Sequence, residues 1–282
     1  MKNIFKKSNI PFMKEVLHNG QGRDNWNLAR VMQDQNGLQH QLPAEIALFS
    51  RGASQGDTWS MCEAARLYFN YCGDLFLPQA LSLWKKAVLQ NDNGAIYDVN
   101  NMPIVDRVLS YQSYDNNEYT AIEMKCALLT ECYLTKLGLC PWENANAEER
   151  IKRCENLTYM VCQILKIPQI KVEFTPNLTF NGMIVDGLAH WDYRISIRAE
   201  LLNDYERLIE VLFHELGHQV VFEITRNNEN SNMLKQIYII TDERIASWHN
   251  QEMGYEVPTT EEDPDTLSYG VYTMWATFFL NR

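Results

Sequence analysis

The chain has 282 residues, 46% of them hydrophobic, with 25 basic against 36 acidic side chains and a net charge of −11. That length allows two domains and an ample core, and the acidic balance argues against a nucleic-acid surface, where a basic stripe is needed. The acidity gathers late: 13 basic and 15 acidic residues fall up to position 144, and 12 and 21 beyond it. No apolar run is long enough for a signal peptide or a membrane span, which predicts a cytoplasmic protein with neither a nucleic-acid nor a membrane partner. Seven cysteines, an odd number with no CxxC pair, predict reduced and mostly buried thiols.

Residues 1–20, with Lys2, Lys6, Lys7 and Lys14, read as a separate amino-terminal segment. From 21 to 98 the chain echoes itself. Asp24-Asn25-Trp26-Asn27 returns as Asp57-Thr58-Trp59-Ser60 after 33 residues, and Leu42-Pro43, Phe49 and Gln55-Gly56-Asp57 return 35 residues later as Leu77-Pro78, Trp84 and Gln90-Asn91-Asp92. Such a period marks stacked helical hairpins, each unable to bury its apolar face without a neighbour. Helices are predicted over 57–70 and 78–90, the second opening at a proline. Trp26, Trp59 and Trp84 are expected in the core. The runs Ala53-Ser54-Gln55-Gly56-Asp57, Ala64-Ala65-Arg66-Leu67-Tyr68 and Ala80-Leu81-Ser82-Leu83-Trp84-Lys85-Lys86-Ala87 resemble the SEL-like repeats of the tetratricopeptide class. The resemblance implies a concave surface for a protein partner, or a scaffold that buttresses the carboxy-terminal half.

Residues 99–146 read as a linker with a connecting helix. The stretch 100–117 is polar and contains Pro103, and a helix is expected over 118–137, ended by Gly138. A further helix is predicted over 146–166, then strands over 170–174, 178–184 and 193–198. The last alternates polar and apolar residues, the mark of one buried face. Its edge position or its burial inside a sheet is left open by the pattern. The whole reads as multi-domain: all-α helical-hairpin repeats followed by an α+β domain over 147–282.

That domain contains His214-Glu215-Leu216-Gly217-His218 within a helix, over 208–224, that is apolar on most sides. Asn203 is placed to cap it, with Glu206 reaching back. A largely buried helix has no cheap place for two imidazoles and a carboxylate unless something binds them. Four residues apart, the two histidines lie one above the other and can aim a nitrogen each at one point, as zinc requires. Glu215, turned about a quarter of the way round, is placed as a general base.

A third metal ligand is expected from a second helix over 233–253. Glu243 is chosen because Ala246 and Ser247, one turn on, allow close packing, with Asp242, His249 and Glu252 as rivals. His190, His249, Tyr269 and Tyr272 are candidate oxyanion donors, Tyr269 and Tyr272 being the pair retained as catalytic candidates.

With His214-Glu215-Leu216-Gly217-His218 followed by Asp242-Glu243-Arg244-Ile245-Ala246-Ser247, the chain resembles the gluzincin metallopeptidases over about residues 147–282, giving that domain a zincin-like fold. The resemblance implies Zn2+ held by His214, His218 and Glu243, a peptide or protein substrate laid along an edge strand, and hydrolysis assisted by Glu215. Ser247 stands where some members carry an aspartate that orients a zinc histidine. The alternative reading is a protein-interaction or regulatory module with a structural or idle zinc site, and zinc hydrolysis of a non-peptide substrate is a third.

Overall fold

The structure is a computed structural model that describes residues 21–36, 42–113, 118–226 and 262–280. These residues are mostly helical, with a small mixed sheet in the second half. They separate into two compact units, one running to Ile104 and including Leu137–Leu139, the other holding Val105–Lys136 and continuing from Cys140.

In the first unit, α1 (Arg23–Asn36), α2 (Leu42–Ser54), α3 (Thr58–Tyr71), α4 (Leu77–Leu89) and α5 (Asn93–Asn101) follow one another, each packed on the next. Corresponding turns are built alike. Asp57 accepts from the Ser60 amide at 2.9 Å and caps α3, and Asp92 accepts from the Ala95 amide at 3.0 Å and caps α5. Each aspartate comes after a left-handed residue, Gly56 at φ 87° and Asn91 at φ 60°. Leu28, Ala29, Leu48, Phe49, Ala64 and Leu67 form the core between α1, α2 and α3.

Trp84 is fully buried and donates to the buried Asp98 carboxylate, which also accepts from Arg66 and the Cys62 thiol. Trp26 is half-buried, but Trp59 is 48% exposed and does not join the core expected of it. The buried stripe of α3 runs through Ser60, Ala64 and Leu67, so Trp59 falls one position off it, with Glu63 and Arg66. There its ring meets Trp26 edge-on at 5.0 Å, and the Arg23 guanidinium stacks on it at 3.4 Å.

Met102 ends α5, and after Pro103 comes α6 (Ile104–Leu109). The polar connection expected over 100–117 therefore contains a helix, whose Ile104 and Val108, with Tyr111, keep a buried side at helical spacing; residues 114–117 lie outside the described residues. α7 (Glu118–Leu134) is shorter than predicted. Leu137 and Gly138 beyond it adopt left-handed backbone in a separate turn. α8 (Ala147–Leu165) matches expectation closely. Asn146 caps its start by accepting from the Glu149 amide, and Lys166 closes its end at φ 53°.

The strands are β1 (Lys171–Thr175), β2 (Thr179–Phe180), β3 (Met183–Ile184), β4 (Gly187–His190) and β5 (Arg194–Arg198). The single strand predicted over 178–184 is instead a hairpin, β2 on β3, because Asn181-Gly182 takes positive φ at both positions, as a tight primed turn requires. In the main sheet the order is β1-β5-β4, with β1 parallel and β4 antiparallel to β5. α9 (Tyr205–Thr225) packs on β4 and β5, α10 (Glu262–Phe279) lies along α9, and α7 packs on α10. Asp204, not Asn203, caps α9 by accepting from the Arg207 amide, because Asn203 belongs to the preceding tight turn and its side chain accepts from Arg150. No helix among the described residues is long and apolar enough to cross a membrane. All seven cysteines are free thiols, Cys62, Cys126, Cys154 and Cys162 being buried.

Candidate metal centre

From Leu208 to Thr225 every residue of α9 is buried except Glu210, His214 and His218. Their spacing of four puts these three on one line, so the buried helix opens to its surroundings along a single polar seam. His214 and His218 direct their Nε2 atoms at each other, 3.1 Å apart, with ring planes at 81°. Two nitrogens each about 2.05 Å from zinc at a tetrahedral angle stand about 3.3 Å apart. The pair thus fits two ligand positions of such an ion, while without metal one ring donates a hydrogen bond to the other. No group of three or more His, Cys, Asp or Glu side chains able to hold a metal occurs among the described residues. Glu243, with Asp242, His249 and Glu252, lies outside them.

Glu215 is buried, 5% exposed, and its side chain occupies the notch left by Gly187 on β4, where a Cβ atom would stand 2.4 Å from Oε1. Of the two positions open to the strand over 193–198, the edge is the one it does not take. β5 is central, and Ile195, Ser196 and Ile197 are all buried. The strand beside the motif is β4, which the sequence did not reveal. The Arg198 amide donates to the Asp186 carbonyl at 2.9 Å, which marks that pair as hydrogen-bonded. By the alternation of antiparallel ladders, Gly187 and Ala189 then turn their N–H and C=O groups away from β5, towards the outer side of the sheet.

Several contacts fix β4 to α9. Gln219, buried next to His218, donates through Nε2 to the carbonyls of His190 at 2.8 Å and Arg194 at 3.0 Å, the two ends of the β4–β5 turn. Arg226, at the end of α9, stacks its guanidinium 4.2 Å from the rings of both Trp191 and Tyr193 within that turn. At the other end of β4, Asp186 is held by Arg198 at 2.7 Å and Arg207 at 3.0 Å.

A cavity of about 1090 Å³ opens between α7, α9, α10 and the start of β4, and His214 and Glu215 line it. Tyr269 and Tyr272 line it too. Tyr269 is 74% exposed, whereas the Tyr272 hydroxyl donates to Glu206 at 3.2 Å, eight residues and so about 12 Å along α9 from His214. His190 belongs to the opposite face of the sheet from Gly187 by strand alternation. Its Nε2 meets the Ser196 hydroxyl at 2.8 Å, and burial lowers its pKa from the usual value. No family model, curated protein or solved structure matches this chain.

Proposed function

We propose that the chain is a zinc-dependent peptidase whose catalytic half is preceded by a pair of SEL-like helical hairpins. The observation that carries this reading is the convergence of the two imidazole nitrogens at 3.1 Å on the one line of α9 between Leu208 and Thr225 that is not buried, with Glu215 alongside. The recurrence of capped, left-handed turns before α3 and α5 supports the repeat layout. His214, His218 and Glu243 would hold the ion. Bound there, zinc would polarise a carbonyl and acidify a water. Glu215 takes the proton of the attacking water and delivers it to the departing amine. An extended peptide pairs with the N–H and C=O groups of Gly187 and Ala189, which brings its backbone past Glu215. Notched against Gly187, the carboxylate has little freedom to swing aside.

The test is metal content and cleavage measured on the same preparations. One zinc per chain is expected, lost in His214→Ala and Glu243→Ala. Glu215→Gln should keep the metal and lose at least about a hundredfold in cleavage, the scale of general-base catalysis. Undiminished cleavage by Glu215→Gln removes its role as base. If His249→Ala releases the metal while Glu243→Ala does not, the third ligand is His249 and the gluzincin reading fails.

A further inference from the structure

The wall that α7 contributes to the cavity carries a carboxylate that the hydrolytic scheme leaves unused. Glu123 on α7 lines the cavity and is 6% exposed. It lies so close over α10 that a Cβ at Gly270 would meet its carboxylate atoms, which makes glycine there the condition for its position. Its hydrogen-bond partner is a neutral group, the Tyr119 hydroxyl one turn earlier on α7, and no cation among the described residues offsets its burial, which raises its pKa.

Of the other carboxylates of the cavity, Glu215 is the one assigned above as the base, and the remaining two are paired with arginine. Asp186 is paired with Arg198 and Arg207, and Glu210 with Arg207. Arg207 is the one lysine or arginine of the lining among the described residues, and Asp186 and Glu210 already engage it. Burying a carboxylate without a cation is costly, and the cost is offset when a ligand brings the cation.

Position fits this purpose. Ser268 donates to the Glu210 carbonyl and Tyr272 to Glu206, so α10 runs antiparallel to α9, and Gly270 falls between those two levels. Glu123 therefore lies one to two helical turns, about 6–12 Å along the axis, from His214. That is the reach of a long side chain next to the scissile bond, or of two to three residues of extended peptide at about 3.3 Å each.

We propose that Glu123 is a specificity-determining residue that binds a cationic group of the peptide substrate, a lysine or arginine side chain beside the cleaved bond or the free amino terminus. This rests on the peptidase reading above.

The test uses zinc-loaded full-length protein and fluorogenic peptides that differ at one position flanking the cleaved bond, lysine against norleucine, each with a free or acetylated amino terminus. Binding of the same peptides to Glu215→Gln gives a readout independent of turnover. Wild type should favour the cationic peptide by at least about tenfold in kcat/KM and in Kd, as for a hydrogen bond to a charged group. Glu123→Gln should bring the two within about twofold while leaving norleucine cleavage near the wild-type rate. Glu123→Asp, which withdraws the carboxylate by one methylene, should shift preference from lysine to the longer arginine. A preference that tracks the lysine identifies the side chain as the cation, and one abolished by acetylation identifies the amino terminus. Equal handling of charged and neutral peptides by wild type, or an unchanged preference in Glu123→Gln, overturns the proposal while the peptidase reading stands. If wild type cleaves none of the peptides and Glu215→Gln binds none, both fall together.

Discussion

At Gly187 a methyl group would stand 2.4 Å from Oε1 of Glu215, and this close approach fixes the proposed base against the strand that would carry substrate. Gly187→Ala should displace the Glu215 carboxylate at a cost of about 1–3 kcal/mol in stability, the usual range for overpacking. Cleavage should fall by more than tenfold with zinc content unchanged, as metal analysis and steady-state kinetics would record. Glu123 makes a second, opposite case. Burial holds its pKa above the usual carboxylate range. Tyr119 and Cys126 neighbour it on its own helix, while Arg207 and Glu210 on α9 and Tyr269 and Tyr272 on α10 line the same cavity. The folded chain therefore binds more protons than the unfolded chain between the ordinary and the raised value, and stability contributed at Glu123 falls as pH rises through that window. Glu123→Gln removes the effect. In denaturant titrations its stability relative to wild type should increase from about pH 4 to neutrality, even as selectivity for cationic peptides is lost, since functional groups are commonly kept at a cost in stability.

Gln219 decides how firmly β4 is held. Replacing it with leucine leaves the carbonyls of His190 and Arg194 without their buried donor, and a loss of roughly 1–3 kcal/mol is expected. Faster amide hydrogen exchange over 190–194, with α8 unaffected, would separate this local loosening from general instability. The sequence announced some of these elements and hid others for identifiable reasons. α8 is legible because Asn146 can cap its start and Pro168 stops it two residues after Lys166. The seam of α9 is legible because Glu210, His214 and His218 recur at a spacing of four in a helix that is otherwise mostly apolar. β4 was hidden: Gly-Leu-Ala-His is short, begins with the residue that makes room for Glu215, and has weak strand propensity. β5 misled in another way, for its alternation suggested one open face, yet Ser196 is buried on the other side and meets His190. Asn181-Gly182 carries the signal of a tight hairpin, but the apolar residues on either side of it suggest one continuous strand. Glu123 gave no sign in one dimension, because its meaning depends on Gly270 and on a cavity shared by three helices.

The charge of the whole chain, −11, gives the long-range counterpart of what Glu123 is proposed to do nearby. A field of that sign draws cationic peptides in and is weakened by salt, with screening over about 10 Å at 0.1 M. The association rate of a lysine-rich peptide with Glu215→Gln should therefore fall as ionic strength rises from about 20 to about 300 mM, while that of a neutral peptide changes little. In Glu123→Gln the same salt dependence should persist, since the general field remains when the single contact is removed.

An outward-facing ladder rung can also recruit unwanted copies of the same molecule. β4 offers four residues, bounded on one side by the Asp186 cluster of charges and on the other by a turn fastened through Gln219 and Arg226. Such brevity would suit the single guest strand proposed above yet gives stacking chains too little to grip, which is how natural sheets keep a usable margin from seeding fibrils.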